Sequence, residues 1–373
     1  VLEKLKSVLR GRRPTPAFRV PGHFSDNSRV LALANADLSD LVFHMPLLAA
    51  IRRTWPGASL DFLVPEPFAS LVIPSGLARQ VMVYREKQLA GWKPALGNLQ
   101  RTLAAARYDA SFVLSQRPAP ALESLGLASG AVVRCGPSHP AAWPAVNLEL
   151  RADPESGQYG GDRLRELAPY LGLPAGSLRT AWPLPADKRR QVAQLVHFNK
   201  PRPDELLVGI DPGPDKAGRA LAPENLHYVA QQLKAKLSCR ILPLSSPSGQ
   251  DRLKQFEAGL NTPTPPAFNR DTILDTLLLL CQCDLFLAGN TDLFHAAVAE
   301  GVPTIGLFSG QIDSRWLPAT RRRCAVLRTK HGERIEMSAV LAAVDCVRAS
   351  ANDHGREAGL PGPALAPLPL TGA

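Results

Sequence analysis

The chain has 373 residues, 45% hydrophobic and 20% charged, enough for about two to three ordinary globular domains. Its 28 Gly and 35 Pro lie mostly between periodic segments without a Gly-X-Y repeat, which excludes a collagen-like chain, and no apolar run approaches the roughly 18 residues that cross a bilayer. The 43 basic against 33 acidic residues leave a net charge of +10, which favours a polyanionic partner; with aromatics at 6% and no basic stripe interleaved with them, nucleic acid is not the expected one.

Residues 1–28 read as a basic leader. Leu2, Leu5 and Leu9 share one helical face, and Lys4, Lys6, Arg10, Arg12 and Arg13 occupy the rest or follow directly. This fits either a short helix making peripheral contact with an anionic membrane or a solvated segment. It lacks the apolar block and cleavage site of a secretory signal, so a cytoplasmic protein is expected.

From Arg29 short aliphatic runs alternate with longer amphipathic ones, the pattern of βα units on a parallel sheet. Strands are predicted at 30–35, 59–64, 80–84, 110–114 and 131–134, and helices at 41–54, 67–73, 93–106, 119–127 and 162–171. A Pro-rich stretch at 174–185 reads as a domain boundary. A second series then predicts strands at 206–210, 240–244, 285–288, 304–308 and 325–328, with helices at 223–237, 249–260, 272–282, 293–300 and 337–349. The expectation is an α/β protein with two Rossmann-like domains, 29–185 and 186–349, their parallel sheets facing a cleft. A Pro-rich tail, 350–373, has no periodicity and is expected to be disordered.

In open parallel sheets ligands bind beyond the carboxyl ends of the strands, so the loops there are informative. Asn35-Ala36-Asp37-Leu38-Ser39-Asp40 follows the first strand. Asp40 could take a proton from an acceptor hydroxyl, or Ser39 or Asp40 could simply cap the helix expected at Leu41; position alone favours the cap. In Asp211-Pro212-Gly213-Pro214-Asp215-Lys216-Ala217-Gly218-Arg219 the two glycines have P-loop spacing, but Arg219-Ala220 replaces the Lys-Ser/Thr that an NTPase needs. A glycine turn feeding a helix start, with Lys216 and Arg219 close by, suits a diphosphate as well as a plain solvated turn. Ala288-Gly289-Asn290-Thr291-Asp292-Leu293-Phe294-His295 is again a strand, a turn and a helix start: Thr291 can cap, and His295 alone reads better as packing than as a catalyst. Two such helix starts in one half together describe a nucleotide-diphosphate site. No Gly-x-Ser-x-Gly, His-Glu-x-x-His, early Gly-x-Gly-x-x-Gly or Asp-x-Asp motif is present, and the six cysteines give no zinc spacing, so neither a metal nor a cofactor is expected.

Several blocks resemble glycosyltransferase family 9, the lipopolysaccharide heptosyltransferases. They are Val30-Leu31-Ala32-Leu33 before Leu38-Ser39-Asp40, Pro46 to Arg53 with Trp55-Pro56-Gly57-Ala58, Tyr108-Asp109, Arg134-Cys135-Gly136, Asp211-Pro212-Gly213, Cys283 to Asn290, His295-Ala296-Ala297 and Gly301-Val302-Pro303-Thr304. The resemblance spans roughly Arg29 to Pro318. It implies a GT-B fold and an inverting, metal-independent transfer of a sugar, heptose in the family, from a nucleotide-diphosphate donor to a lipopolysaccharide-core-type glycolipid. It places the catalytic aspartate on Asp40. The family's donor-side lysine falls on Arg219 and its Asp-Ser/Thr-Gly turn on Asn290-Thr291-Asp292, so donor binding is expected from Gly213, Lys216, Arg219, Asn290, Thr291, Asp292 and His295. Ser39, Asn290 and Asp292 depart from the family pattern. A hexosyltransferase with another nucleotide donor, or a non-catalytic protein binding a nucleotide or glycan, would accommodate those departures too.

Overall fold

The computed structural model describes residues 17–20, 22–89, 94–151, 158–174, 182–200, 202, 204–213, 221–260, 268–310, 313–318, 323–329 and 335–357. The chain divides into two compact units: Val1–Arg190 with Asp271–Leu274 and Ser314–Trp316, and Gln191–Arg270 with Asp275–Asp313 and Leu317–Ala373. The leader helix at 1–13 and the tail at 360–373 lie outside the described residues.

In the first unit six strands form one parallel sheet in the order β3-β2-β1-β4-β5-β6. These are β1 (Arg29–Ala34), β2 (Ser59–Pro65), β3 (Gln80–Tyr84), β4 (Ala110–Leu114), β5 (Val133–Pro137) and β6 (Leu148–Leu150). Such an all-parallel sheet is covered on both faces, which is why β1 reads as the unbroken apolar run Arg-Val-Leu-Ala-Leu-Ala and is buried from Val30 on. Helices α1 (Leu38–Thr54), α2 (Pro94–Ala106), α3 (Pro120–Ala128) and α4 (Gly160–Leu167) connect or flank the strands. Leu31, Leu33, Leu63, Leu103, Val113 and Leu125 make the core on one face. Helix α1 is buried from Leu38 to Met45 and again from Leu47 to Ile51, as expected of a helix apolar on nearly all sides.

The second unit holds a five-stranded parallel sheet in the order β11-β10-β9-β7-β8. Its strands are β7 (Leu206–Asp211), β8 (Cys239–Pro243), β9 (Leu285–Ala288), β10 (Thr304–Ser309) and β11 (Cys324–Thr329). Around them lie α5 (Ala186–Asn199), which crosses the unit boundary, α6 (Pro223–Lys236), α7 (Gln250–Gly259), α8 (Ile273–Leu280), α9 (Asp292–Glu300) and α10 (Met337–Glu357). Val208, Ile210, Leu226, Leu233, Leu307, Val340 and Val344 pack together between the sheet and its helices. Among the described residues no helix is long and apolar enough to cross a membrane.

Several sequence expectations need correcting. Helix α1 begins at Leu38 instead of Leu41, because Asp37 is the cap: its carboxylate accepts from Ser39 N at 3.0 Å. Strand β5 runs Val133–Pro137, later than 131–134. Arg134 sets it, its own N–H donating to Asn147 Oδ1 at 2.7 Å while its guanidinium donates to the carbonyls of Ala131 (2.7 Å) and Pro144 (3.0 Å). Strand β6 and helix α5 were not anticipated: the first has three residues in a Pro-rich run, the second few buried positions to give it a period. Helix α10 continues to Glu357, past the expected end at Ala349.

Candidate functional site

The two sheets share a topological feature that selects their loops. In the first, β1 is followed in sequence by β2 on one side, while β4 lies on its other side; in the second, β7 stands in the same way between β8 and β9. The crevice at such a switch point, beyond the carboxyl ends of the strands, is where doubly wound folds bind ligands.

In the first unit Ala34 pairs with Leu114, so the loops after β1 and β4 emerge side by side. Asp40, 3% exposed in the first turn of α1, sits between them. Its Oδ2 accepts from Asn35 Nδ2 at 2.7 Å and its Oδ1 from the backbone N–H of Gln116 at 3.2 Å. Asn35 is fixed in turn: its Nδ2 also donates to Ser115 Oγ at 3.0 Å, and its Oδ1 accepts from Asp37 N at 2.9 Å. The carbonyl of Asp40 accepts from His44 Nδ1 at 2.6 Å, one turn on. Burial and, after it, the neighbouring Asp37 charge push the Asp40 carboxyl up to about 6, against the three hydrogen bonds from Asn35, Gln116 and Ser115 that favour its ionised form. With Asp37 as the cap, the capping role is removed from Asp40, which holds a buried, oriented carboxylate instead. Asn35, Ser115 and Gln116 were missed as partners. Reading the β4 loop as closely as the β1 loop would have found them, since a switch point always has two sides.

In the second unit Asp211 pairs with Ala288 across β7 and β9, and the loops that follow meet. Gly213 has φ +64°, and a Cβ on it would stand 2.5 Å from Thr291 Cγ2, so glycine is required both for the backbone and for the approach of the second loop. Its N–H donates to Asp211 Oδ1 at 2.8 Å. Asp211 is 1% exposed, and burial drives its carboxyl up to about 6 despite hydrogen bonds with Thr291, Gly213 and Ser245 and the charge of Arg252. Thr291 caps α9, accepting from Phe294 N at 3.2 Å. His295 is 1% exposed, its Nε2 bonded to Asn290 Oδ1 at 3.0 Å and its ring edge-on to Phe294. Asp292 is buried in the first turn of α9, where the positive helix end favours a carboxylate. The structure thus brings Gly213, Asn290, Thr291, Asp292 and His295 to one switch point; Lys216 and Arg219 lie outside the described residues.

No family model and no curated protein sequence matches the chain. Solved structures do. A family 9 glycosyltransferase from Veillonella parvula superposes with a TM-score of 0.70 at 16% identity, over 89% of this chain and 99% of that one. The ADP-heptose lps heptosyltransferase II of E. coli gives 0.64 at 16% identity, over 87% and 99%. E. coli heptosyltransferase WaaC, solved with ADP, gives 0.64 at 18% identity, over 85% and 99%. The fold is therefore that of the family 9 glycosyltransferases, two Rossmann-like units of the GT-B class.

Proposed function

We propose that the protein is an inverting, metal-independent glycosyltransferase that moves a sugar, heptose by the likeness to heptosyltransferases, from a nucleotide-diphosphate donor to a lipopolysaccharide-core-type glycolipid. The observation that carries the reading is Asp40: a buried carboxylate at a switch point, aimed by Asn35 and the Gln116 amide, with its proton affinity raised toward neutrality. A base is most effective when its pKa lies near working pH while it remains mostly ionised.

In this mechanism an acceptor hydroxyl approaches Asp40. Its oxygen forms a bond to the anomeric carbon of the donor, its proton passes to the Asp40 carboxylate, and the bond from the anomeric carbon to the diphosphate oxygen breaks. The electron pair leaves with the nucleoside diphosphate, and attack from the opposite face inverts the centre. The diphosphate gains charge in the transition state. The start of α9, capped by Thr291, offers backbone N–H groups to that charge. Asn290, its Oδ1 engaged by His295, turns the N–H end of its amide to other partners, so the replacement of the family's acid leaves a donor where an anion is to be bound. Asp211 acts behind the site by holding the Gly213 turn against Thr291. Lys216 and Arg219 are the cations we assign to the same diphosphate.

The test is calorimetric titration with ADP, UDP and GDP, with and without magnesium, followed by turnover with ADP-heptose and deacylated lipopolysaccharide-core oligosaccharide as the acceptor. Magnesium-independent preference for ADP is expected. Asp40→Asn is expected to keep ADP affinity and lower kcat by about 10²–10⁴. Near-normal turnover by that variant would remove Asp40 from the role, and preference for UDP or GDP would move the donor.

A further inference from the structure

The residue whose backbone holds Asp40 carries a side chain to which the mechanism above gives no task. Gln116 follows β4, and its backbone N–H holds Asp40 Oδ1. The side chain is 6% exposed, yet neither Oε1 nor Nε2 has a hydrogen-bond partner among the described residues. Buried carboxamides are normally paired, because each unpaired atom has lost its water without recompense. The fold makes room for this one. Gly160 opens α4, and a Cβ there would stand 2.5 Å from Oε1 and 2.6 Å from Nε2 of Gln116. A methionine would occupy the same notch without polar atoms, so packing alone does not account for glutamine.

We propose that the Gln116 carboxamide belongs to the acceptor site and recognises a second hydroxyl of the acceptor, beside the one that Asp40 deprotonates; this rests on the reading of Asp40 as the base. A carboxamide donates and accepts at once, and a hydroxyl can answer both. A phosphate would use only the donor end, and an apolar group neither. The acceptor this pair selects is a polyol with neighbouring hydroxyls. Gly161, the next residue of α4, brings the helix start against the buried rings of Phe43 and Tyr159, which meet edge to face at 5.2 Å and fix α4 in place beside Gln116.

Gln116→Met tests this, because it keeps the shape and removes the polar atoms. Its Tm without ligand is expected at or above the wild-type value, since two unpaired atoms leave the interior. Its affinity for ADP is expected to be unchanged. With ADP-heptose and deacylated lipopolysaccharide-core oligosaccharide, kcat/KM for the acceptor is expected to fall about 10- to 100-fold, chiefly through KM. Gly160→Ala, which displaces the carboxamide without deleting it, should reproduce the KM effect. A clearly lowered Tm in Gln116→Met would make the amide structural and overturn the proposal. Wild-type transfer with an unaltered kcat/KM in Gln116→Met would overturn it alone, whereas no transfer by the wild type would overturn the transferase reading and this assignment together.

Discussion

Asp40 and Asp211 are two buried carboxyl groups, one behind each switch point, and both bind protons more tightly in the fold than in the unfolded chain. Between the ordinary value of 3.8 and the folded value of about 6 the native state carries the extra proton, so stability falls as pH rises through that window. At pH 7 each ionised group therefore opposes folding, and a shift of this size corresponds to about 1–3 kcal/mol. Asp40→Asn and Asp211→Asn should each raise Tm at pH 7, and the gain should shrink as pH falls through 6 and vanish below the unfolded value of 3.8, where both groups are protonated in either state. Thermal unfolding across pH 3–8 checks this, and a gain of the same size at pH 3 as at pH 7 would exclude ionisation as its source. The same proton on Asp40 predicts an acid limb in kcat/KM near pH 6. A fold that keeps a destabilising charge at a buried position shows the pattern of stability spent on function.

At the scale of elements the two units use one device twice. Asp109, just before β4, accepts from the N–H of Arg29 at the start of β1 (2.7 Å); Asp284, just before β9, accepts from the N–H of Leu207 in β7 (2.7 Å) and from Lys200 Nζ (3.0 Å). Each ties the two strands that flank a switch point, at the end opposite the ligand loops. Asp109→Ala and Asp284→Ala should each cost about 1–3 kcal/mol by leaving a strand N–H unpaired, with ADP affinity unchanged once the protein is folded. Denaturant unfolding beside calorimetry separates the two effects, and an ADP affinity that fell in step with stability would refute a purely structural latch. This explains what was legible in the sequence. The blocks Tyr108-Asp109, Arg134-Cys135-Gly136 and Cys283-Asp284 carry the resemblance, and in the structure they serve the sheets: Tyr108 donates to Asp61 Oδ2 at 2.9 Å, Arg134 clamps a loop, and Asp284 latches β9 to β7. Strands at 110–114 and 285–288 could be read to the residue because both their faces are buried and turn signals bound them. The site was less legible. Asp37 and Asp40 have the same chemistry three residues apart, and only the helix start, fixed by a bond from Ser39 N, decides which one caps and which faces the ligand loops. Gln116 carried no motif at all; its meaning comes from β1 and β4 being neighbours, which no local pattern states.

For the whole molecule the open question is where an excess of ten positive charges acts. In the proposed reaction a nucleotide diphosphate would need only a few of them, and a glycolipid acceptor would sit in a surface that is itself anionic. Near such a surface each Lys or Arg contributes about 1 kcal/mol, and the attraction decays over a Debye length of about 8 Å at physiological salt. A charge works there only if it can come close, which favours a segment that concentrates cations beside apolar residues over charge spread across two folded units. Residues 1–13 are such a segment, with Lys4, Lys6, Arg10, Arg12 and Arg13 beside Leu2, Leu5 and Leu9. Three leucines bury too little to hold a membrane alone, so adhesion should need the charges and be reversible with salt. In co-sedimentation, the full chain should bind vesicles of mixed phosphatidylglycerol and phosphatidylcholine at low salt, lose most of that binding by about 0.5 M salt, and ignore phosphatidylcholine alone. Removing residues 1–13 should weaken vesicle binding at least tenfold while leaving turnover of a deacylated, water-soluble acceptor unchanged. Equal vesicle binding by the shortened chain would move the contact to the folded units, and a loss of soluble-acceptor turnover would mean that the segment serves the site and not the surface.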